Sequence, residues 1–255
     1  MNSLTDLFSI DNKIIIVTGG GRGIGQTLSV ELAKRGSIVY CLDIKFEKTT
    51  VLPKKIHYKK CDINNVSKFG KICKDIFKKH KKIDVLINNA GISIPSKKID
   101  YSLKDWAKTL GLNLTAVFQC SQTVLKYMKK QKNGSIVNIT SINAELAFPK
   151  NPAYVASKGG VKMLTKALAR DWGIYGIRVN NLGPGYIKTS MTMKSYSNKK
   201  MKLARQSRTM LNRWGTIDDL VGPCIFLSSD ASKYITGQDI YVDGGWVSSG
   251  LQLDS

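Results

Sequence analysis

Seven short apolar runs, most of them rich in β-branched residues, recur along the chain, and helical patterns separate most of them. The first run, KIIIVT, has no polar alternation, which is typical of a strand buried on both faces. The others are SIVYCLD, IHYKKCD, IDVLINNAG, GSIVNITS, IRVNNLGPG and DIYVDGG. Strands that alternate with helices favour an α/β fold, a doubly wound and mostly parallel seven-stranded sheet with helices on both faces. Ligands of such sheets bind at the carboxyl ends of the strands.

The length of 255 residues suits one large domain. No linker, repeat or low-complexity segment divides the chain, so we predict a single domain over residues 1–255. One polar segment, about 188–212, lies between Gly185 and Gly215. Its glycine-flanked polar character predicts a lid that closes over a substrate.

Composition narrows the class of protein. No run of 18 apolar residues occurs, and an acid precedes the first apolar run, so we expect a cytoplasmic protein with neither a membrane span nor a signal peptide. The five cysteines are scattered without a C-x-x-C pair, which favours reduced thiols over disulfides. With only two histidines, we expect no metal site.

The net charge of +22 raises the question of a nucleic-acid partner. Only seven of the 40 basic residues are arginine, whereas specific nucleic-acid readers depend on the arginine fork. We interpret the lysines as a solvated surface and expect no specific nucleic-acid partner.

A glycine-rich turn, TGGGRGIG (residues 18–25), separates the first strand from the first helix. Glycines permit positive φ and let a pyrophosphate approach the backbone amides at the positive end of the helix. Asp43 ends the second strand about 20 residues later, where a carboxylate can accept hydrogen bonds from the adenosine ribose. The context predicts a dinucleotide site.

Asp43 also favours NAD over NADP, because its carboxylate would repel a 2′-phosphate. Arg22 and Lys45 lie close enough in sequence that a basic clamp for that phosphate is an alternative. Asp62 ends the third strand and has two interpretations: a contact to the adenine amine, or the N-cap of the following helix.

Tyr154 and Lys158 lie four residues apart in a predicted helix, so both side chains point to one face. A nearby cation lowers the pKa of a phenol, and the lysine with an oxidised nicotinamide would make Tyr154 a general acid/base near neutral pH. Ser141 ends the preceding strand and Asn113 lies in the long helix before it. Both can reach the same cleft.

This ordered set of motifs resembles the short-chain dehydrogenase/reductase family over nearly the whole chain. The matching stretches are TGGGRGIG, NNAG, GLNLT, ITS, YVASK and GPG. The resemblance implies a Rossmann-type fold and a catalytic tetrad of Asn113, Ser141, Tyr154 and Lys158. It implies that Tyr154 exchanges the hydroxyl proton, Lys158 holds the nicotinamide ribose, Ser141 binds the reacting oxygen and Asn113 keeps a water in the proton relay.

The resemblance, together with the glycine turn and Asp43, gives a predicted set of cofactor contacts. These are Gly19, Arg22, Gly23, Ile24, Gly25, Asp43, Asp62, Ile63, Asn89, Ala90, Gly91, Tyr154, Lys158, Pro184, Gly185, Ile187 and Thr189. The family also implies a homotetramer built from the two long helices and the C-terminal strand region.

Within the family, stretches such as LFSIDNK, AELA, RWGTIDDLVGP and YVDGGW are most similar to gluconate 5-dehydrogenases and related sugar-acid dehydrogenases. That similarity implies an NAD-dependent enzyme that interconverts a secondary alcohol and a ketone on a sugar acid or polyol. Glu145, with Ser141 and Tyr154, is a candidate for binding the substrate.

The substrate carboxylate has four candidate partners in the polar segment, although these residues can equally be surface charges: Lys188, Lys194, Arg205 and Arg208. Phe148 stands where the resemblance leads us to expect a basic residue, so a less charged ketone stays open. One alternative is an NADPH-dependent 3-oxoacyl-thioester reductase. Another, of a different class, is a non-catalytic module that senses a dinucleotide or binds RNA.

Overall fold

A computed structural model describes residues 4–47, 53–96 and 98–249. Seven strands form one sheet in the order β3-β2-β1-β4-β5-β6-β7, and every pairing between them is parallel. The predicted doubly wound α/β fold is therefore confirmed. The strands are β1 Ile14–Thr18, β2 Ile38–Asp43, β3 Ile56–Lys60, β4 Val85–Asn88, β5 Gly134–Ile139, β6 Ile177–Pro184 and β7 Asp239–Val242.

Helices connect the strands. Within the described ranges the α-helices are α1 Leu4–Leu7, α2 Gly23–Lys34, α3 Val66–His80, α4 Leu103–Leu110, α5 Ala116–Gln131, α6 Pro152–Trp172, α7 Met193–Tyr196, α8 Lys199–Gln206 and α9 Val221–Ser228. A π-helical turn covers Gly111–Thr115, and 3₁₀ turns cover Ile142–Ala144, Gly173–Tyr175, Ile217–Leu220 and Asp230–Ser232.

The apolar run of β1 is buried on both faces, as its composition predicts. Ile14 and Ile16 pack into one core beneath α3, α5 and α6. Ile15 and Val17 pack into a second core with residues of α2 and α9. Because successive side chains of a strand point to opposite faces, one continuous apolar strand supplies both cores.

The strand order reverses at β1. Its carboxyl-terminal residue Thr18 pairs with Leu42 of β2 on one side and with Asn88 of β4 on the other. The connections from β1 therefore diverge to opposite sides of the sheet, which opens a crevice at the carboxyl edge between them. The glycine-rich turn begins at this point.

Two local expectations are corrected by the structure. The predicted long helix around Asn113 is not one α-helix, because the π turn interrupts it. Asp62 is not the N-cap of α3; the side chain of Asn65 fills that position and accepts from the Lys68 amide. Thr216 and Asp219 form a capping box that opens the 3₁₀ turn before α9.

The five cysteines are free and buried. Burial raises the pKa of the Cys73 and Cys224 thiols to about 12. Across residues 4–47, 53–96 and 98–249, no helix is both long and apolar enough to cross a membrane. In the same ranges, no group of three or more histidine, cysteine or acidic side chains is arranged to hold a metal ion.

Candidate active site

The glycine-rich turn has the shape of a phosphate cradle. Gly19 and Gly23 have φ of +64° and +54°, in the left-handed region that favours glycine. A Cβ on Gly25 would lie 2.2 Å from the Gly19 carbonyl oxygen, whereas a Cβ on Gly23 would meet no atom within 4 Å. The space beside Gly23 is therefore open. Because α2 begins there without a side-chain cap from Arg22, its first amides suit a dinucleotide pyrophosphate.

Asn89 locks the NNAG segment to this turn. Its side-chain nitrogen donates to the carbonyl oxygens of Thr18 at 3.0 Å and of Gly19 at 2.9 Å. The Thr18 hydroxyl in turn accepts from the amides of Asn89 and Ala90. Sequence reasoning predicted Asn89 as a cofactor contact; its side chain supports the shape of the glycine turn.

Asp43 lies at the carboxyl end of β2, beside the glycine turn. One carboxylate oxygen accepts from the Gly21 amide at 2.8 Å, and the other accepts from the amides of Ile44 and Lys45. A Cβ on Gly21 would lie 2.0 Å from the Lys45 carbonyl oxygen, so no larger residue fits at that position. The fold thus holds a carboxylate where an adenosine ribose would lie. Arg22 is exposed at the N-terminus of α2.

Asp62 and Ile63 lie at the carboxyl end of β3. Asp62 is exposed, and its carboxylate accepts from the backbone and side chain of Asn64. Ile63 is 4% exposed and packs in the core beneath α3 and α5. Its side chain is thus committed to the core, which leaves only its backbone to face a ligand.

Tyr154 and Lys158 meet on the inner face of α6. The Lys158 Nζ is 5.6 Å from the centre of the Tyr154 ring and donates to the Ile139 carbonyl oxygen at 2.7 Å. Lys158 is only 5% exposed. Burial lowers the pKa of its amine to about 8, since the charged form loses its hydration.

Burial has the largest effect on the pKa of Tyr154. Burial raises the pKa of the phenol, a hydrogen bond with the Ser141 side chain lowers it, and the nearby Tyr186 phenol raises it again. Desolvation of the phenolate outweighs the help from its neighbours. Any lowering of this pKa must therefore come from a group that the bound state adds.

Ser141 follows β5 with an extended backbone and opens the 3₁₀ turn at residues 142–144. Its hydroxyl donates to the Asn143 side-chain oxygen at 3.1 Å and accepts from the Asn143 amide. These two bonds fix the hydroxyl at the carboxyl edge of the sheet.

Asn113 enters the site from the π turn and is fully buried. Its side chain donates to the Ile92 carbonyl oxygen at 2.8 Å and accepts from the Ile92 amide at 2.9 Å. It also donates to the Ser157 hydroxyl on α6 at 3.2 Å. A Cβ on Gly91 would lie 3.3 Å from the Asn113 side-chain oxygen and 3.8 Å from the Lys158 Nζ. The structure therefore brings Asn113 and Lys158 to the same place.

A series of buried, hydrogen-bonded side chains links β4, β5, α6 and β6 next to the site. Sequence reasoning missed it. Asn138 of β5 accepts from Asn88 of β4 and donates to Thr165 of α6, which donates to Asn181 of β6. These asparagines occupy paired positions on adjacent strands. The available signal was that each of these three mainly apolar strands contains at least one asparagine.

The GPG turn closes the other side of the crevice. A Cβ on Gly185 would lie 2.7 Å from the Asp243 Cα, so the turn packs tightly against the C-terminal segment. Pro184 ends β6, and Ile187 is 3% exposed and packs in the core with α2 and α9. The Thr189 amide donates to the Thr192 hydroxyl and stabilises the start of the polar segment.

Glu145 is already engaged by side chains of the protein. It forms an ion pair with Lys162 of α6, and its carboxylate accepts from the Tyr241 hydroxyl at 2.7 Å. The Lys162 ammonium holds the pKa of this carboxyl below its ordinary value. If Glu145 binds substrate hydroxyls as predicted, those hydroxyls must compete with Lys162 and Tyr241 for its carboxylate.

An aromatic cluster, defined by Phe148, Tyr186, Tyr196, Trp214 and Trp246, lies under the polar segment. Ring centres of successive neighbours are 5.1 to 6.0 Å apart. Phe148, which stands at the position expected to be basic, packs against Tyr186 and Trp246. Sequence reasoning did not foresee this cluster, since its members are distant in the chain.

The four basic candidates for a substrate carboxylate have different surroundings. Lys188 lies with its Nζ 4.8 Å from the Tyr196 ring centre, and Lys194 and Arg208 are exposed. Arg205 is half-buried, with its guanidinium carbon 4.3 Å from the centre of the Tyr186 ring. Of these four residues, only Arg205 is half-buried and stacked on Tyr186, the tyrosine that lies near Tyr154.

Comparisons with known proteins agree with this geometry. A family model described as enoyl-(acyl carrier protein) reductase matches residues 19–247. A gluconate 5-dehydrogenase of Gluconobacter oxydans (strain 621H) is 38% identical over 247 residues, which are 94% of this chain and 96% of that protein. A 3-oxoacyl-[acyl-carrier-protein] reductase FabG of Thermotoga maritima is 35% identical over 245 residues, 93% of this chain and 99% of that protein.

The fold is also similar to solved structures. A gluconate 5-dehydrogenase from Burkholderia cenocepacia J2315, solved in complex with NADP and tartrate, superimposes with a TM-score of 0.87 at 32% identity. The match covers 96% of this chain and 99% of that one. Fold, motifs and relatives agree: the chain belongs to the short-chain dehydrogenase/reductase family, whose members here are oxidoreductases that use a nicotinamide dinucleotide to act on CH–OH groups.

Proposed function

We propose that the protein interconverts a secondary alcohol and a ketone on a sugar acid, in the manner of a gluconate 5-dehydrogenase. The observation that carries the chemistry is the Tyr154 phenol, whose pKa the Ser141 side chain lowers and which lies beside Lys158 on α6. The substrate class is supported by the similarity to proteins named gluconate 5-dehydrogenase.

Each side chain of the proposed tetrad has one task. A nicotinamide dinucleotide, when bound, would supply the hydride acceptor for oxidation of the alcohol and the hydride donor for reduction of the ketone. Tyr154 accepts the hydroxyl proton in oxidation and donates it in reduction. Ser141 donates a hydrogen bond to the reacting oxygen, and the Lys158 ammonium stabilises the phenolate. Asn113 keeps a water in the proton relay, and its side chain also holds the backbone of Ile92, next to Gly91.

We further propose that the cofactor is NAD, with NADP as the competing candidate. The Asp43 carboxylate, fixed by three backbone amides, favours two ribose hydroxyls over a 2′-phosphate. The Burkholderia cenocepacia relative, however, was solved with NADP. Asp43→Ser should weaken NADH binding and strengthen NADPH binding, which titration of the reduced nicotinamide fluorescence measures. A wild-type protein that binds NADPH more tightly than NADH would contradict the proposal.

The function is tested by kinetics on the purified protein. We expect oxidation of D-gluconate with NAD and reduction of 5-keto-D-gluconate with NADH, followed by absorbance of the reduced cofactor. Tyr154→Phe should lower kcat by about 10²- to 10⁴-fold, the usual contribution of a general acid/base, while the Kd for NADH stays unchanged.

Three outcomes would point elsewhere. Faster NADPH-dependent reduction of a 3-oxoacyl thioester would favour the reductase alternative. Full activity in Tyr154→Phe would remove the proposed proton donor. NADH binding without turnover of any alcohol or ketone would favour the non-catalytic module, and RNA binding by the lysine-rich surface would then be measured.

We propose a single domain over residues 1–255, in which the polar segment at about 188–212 acts as the substrate lid. Helices α7 and α8 lie within this segment and cover the aromatic cluster through Tyr196 and Arg205. We also propose a homotetramer. Its support is that α4, α5 and α6 each present exposed apolar side chains, namely Leu103, Trp106, Phe118 and Met163.

A further inference from the structure

One donor in the polar segment has no acceptor. Arg205 lies on α8 with its guanidinium carbon 4.3 Å from the Tyr186 ring centre and 5.9 Å from that of Trp214. Its Nη1 atom is buried and has no hydrogen-bond partner in the described parts of the chain. Stacking on aromatic rings stabilises the cation but does not satisfy its N–H groups. A buried charged donor without an acceptor is costly, so a bound acceptor would stabilise this arrangement.

All of the charged residues in the segment around Arg205 are basic. Residues 186–214 contain eight basic residues and no acidic residue. Arg213 is neutralised from outside the segment by a two-fold hydrogen bond to Asp219, with both distances 2.8 Å. Arg208 is exposed to solvent. Arg205 is therefore the arginine of this segment that is both inward and without an anionic partner in the described ranges.

Arg205 shares a neighbour with the proposed proton donor. Tyr186 follows the GPG turn at the end of β6, and its phenol is close enough to Tyr154 to raise the pKa of that group. Arg205 stacks on the same Tyr186 ring and opposes the rise in the pKa of Tyr186 that burial causes. Arg205 and Tyr154 are therefore both neighbours of the Tyr186 side chain.

We infer that Arg205 binds the carboxylate of the substrate and so selects sugar acids over neutral polyols. This inference rests on the proposed function. The planar guanidinium presents paired N–H donors that match a carboxylate, and the aromatic rings fix the plane of the fork in advance. The adenosine end of the cofactor is an unsuitable occupant, because Asp43 lies on β2, on the other side of β1 from β6.

The test compares an acid with its neutral counterpart. 5-Keto-D-gluconate and L-sorbose share the ketone and hydroxyls and differ in a carboxylate against a hydroxymethyl group. Arg205→Ala should raise KM for 5-keto-D-gluconate about 10- to 100-fold, the range for one charge-assisted hydrogen bond or a pair of them. Its kcat/KM for L-sorbose and its Kd for NADH should change less than about three-fold, within the scatter of a surface substitution.

Two further variants sharpen the result. Arg205→Lys should recover part of the lost affinity for the acid, because it restores the charge without the fork. Arg170→Ala, an exposed arginine on α6, serves as the matched control and should leave both substrates unaffected. Thermal melts of each variant show that it is folded.

Each outcome decides between the two proposals. A wild-type protein that turns over L-sorbose as well as 5-keto-D-gluconate overturns the sugar-acid function, and the role of Arg205 with it. A wild-type protein that prefers the acid, together with an Arg205→Ala variant that keeps this preference, overturns the role of Arg205 alone. Equal losses on both substrates, weakened NADH binding, or loss of preference in Arg208→Ala instead would also overturn it.

Discussion

Tyr154 and Lys158 are adjacent because a helix puts residues four apart on one face, but burial decides their protonation. The phenol and the amine both lie in the interior of the cleft, where each charged form loses hydration. Burial therefore disfavours the phenolate of Tyr154, whereas a pKa of about 8 leaves the Lys158 amine mostly protonated at neutral pH. Positive charge from an oxidised nicotinamide would shift the phenol back toward its ionised form.

Lys158 should make the free energy of unfolding depend on pH. Its pKa is about 8 in the folded protein, against 10.5 as the ordinary value. Between these two pH values the unfolded chain binds more protons, so the wild-type protein gains stability as the pH rises. Lys158→Met removes the buried charge and should be more stable than wild type below pH 8, by about 3 kcal/mol at most. Its advantage should disappear above pH 10.5.

Urea unfolding of both proteins without cofactor, at neutral pH and at alkaline pH, measures this difference. The loss of the hydrogen bond to the Ile139 carbonyl lowers the variant's stability equally at each pH, so the pH-dependent part isolates the charge. A stability difference that stays constant from neutral to alkaline pH would show that the amine is not desolvated.

At the scale of elements, the π turn at Gly111–Thr115 decides what Asn113 does. In a continuous α-helix the side-chain directions follow the 3.6-residue period, but a π bulge adds one residue and rotates the positions that follow. The bulge lets the buried Asn113 side chain form hydrogen bonds with both the amide and the carbonyl of Ile92. The sequence indicated an irregularity only through Gly111.

The glycine turn offers a paired test at the same scale. Gly23→Ala adds a methyl group in open space at positive φ, so it should cost about 1 kcal/mol of stability. Gly25→Ala places its Cβ 2.2 Å from the Gly19 carbonyl oxygen, and overpacking against backbone should cost more, about 2 to 3 kcal/mol. Both should weaken NADH binding, since the open side of Gly23 is where the pyrophosphate would approach.

Chemical unfolding and NADH fluorescence titration measure the two effects separately. A Gly23→Ala variant with wild-type affinity for NADH would mean that the pyrophosphate lies elsewhere. A Gly25→Ala variant as stable as Gly23→Ala would mean that the turn relaxes more freely than its contacts indicate.

At the scale of the whole molecule, exposed apolar side chains on α4 to α6 contrast with a surface of net charge +22. Phe118, 38% exposed, lines a groove between α3 and α5 with a volume of about 390 Å³. Phe118→Glu should shift the protein to a smaller assembly in light scattering, because an interface that buries the ring would have to bury a carboxylate. Ile174→Glu, another exposed apolar position, is the control. A wild-type protein that is already monomeric would contradict the proposed homotetramer.

The sequence by itself determined the order of strands and helices, the glycine turn, Asp43 at the end of β2, and the pairing of Tyr154 with Lys158. These features depend on short-range periodicities of 2 and 3.6 residues and on turn residues, which the backbone geometry fixes locally. The fold class and the family followed from them, because few topologies accept such an alternation.

Only the tertiary structure decided the environment of each functional group. Glu145 accepts a hydrogen bond from Tyr241, which is 96 residues away in sequence. Phe148 packs in an aromatic cluster, and Arg205 stacks on Tyr186 of the same cluster. The tertiary structure also buried the Tyr154 phenol, which raises its pKa. The physical reason is that burial and partner choice depend on chain segments far apart in sequence, whose packing no local period encodes.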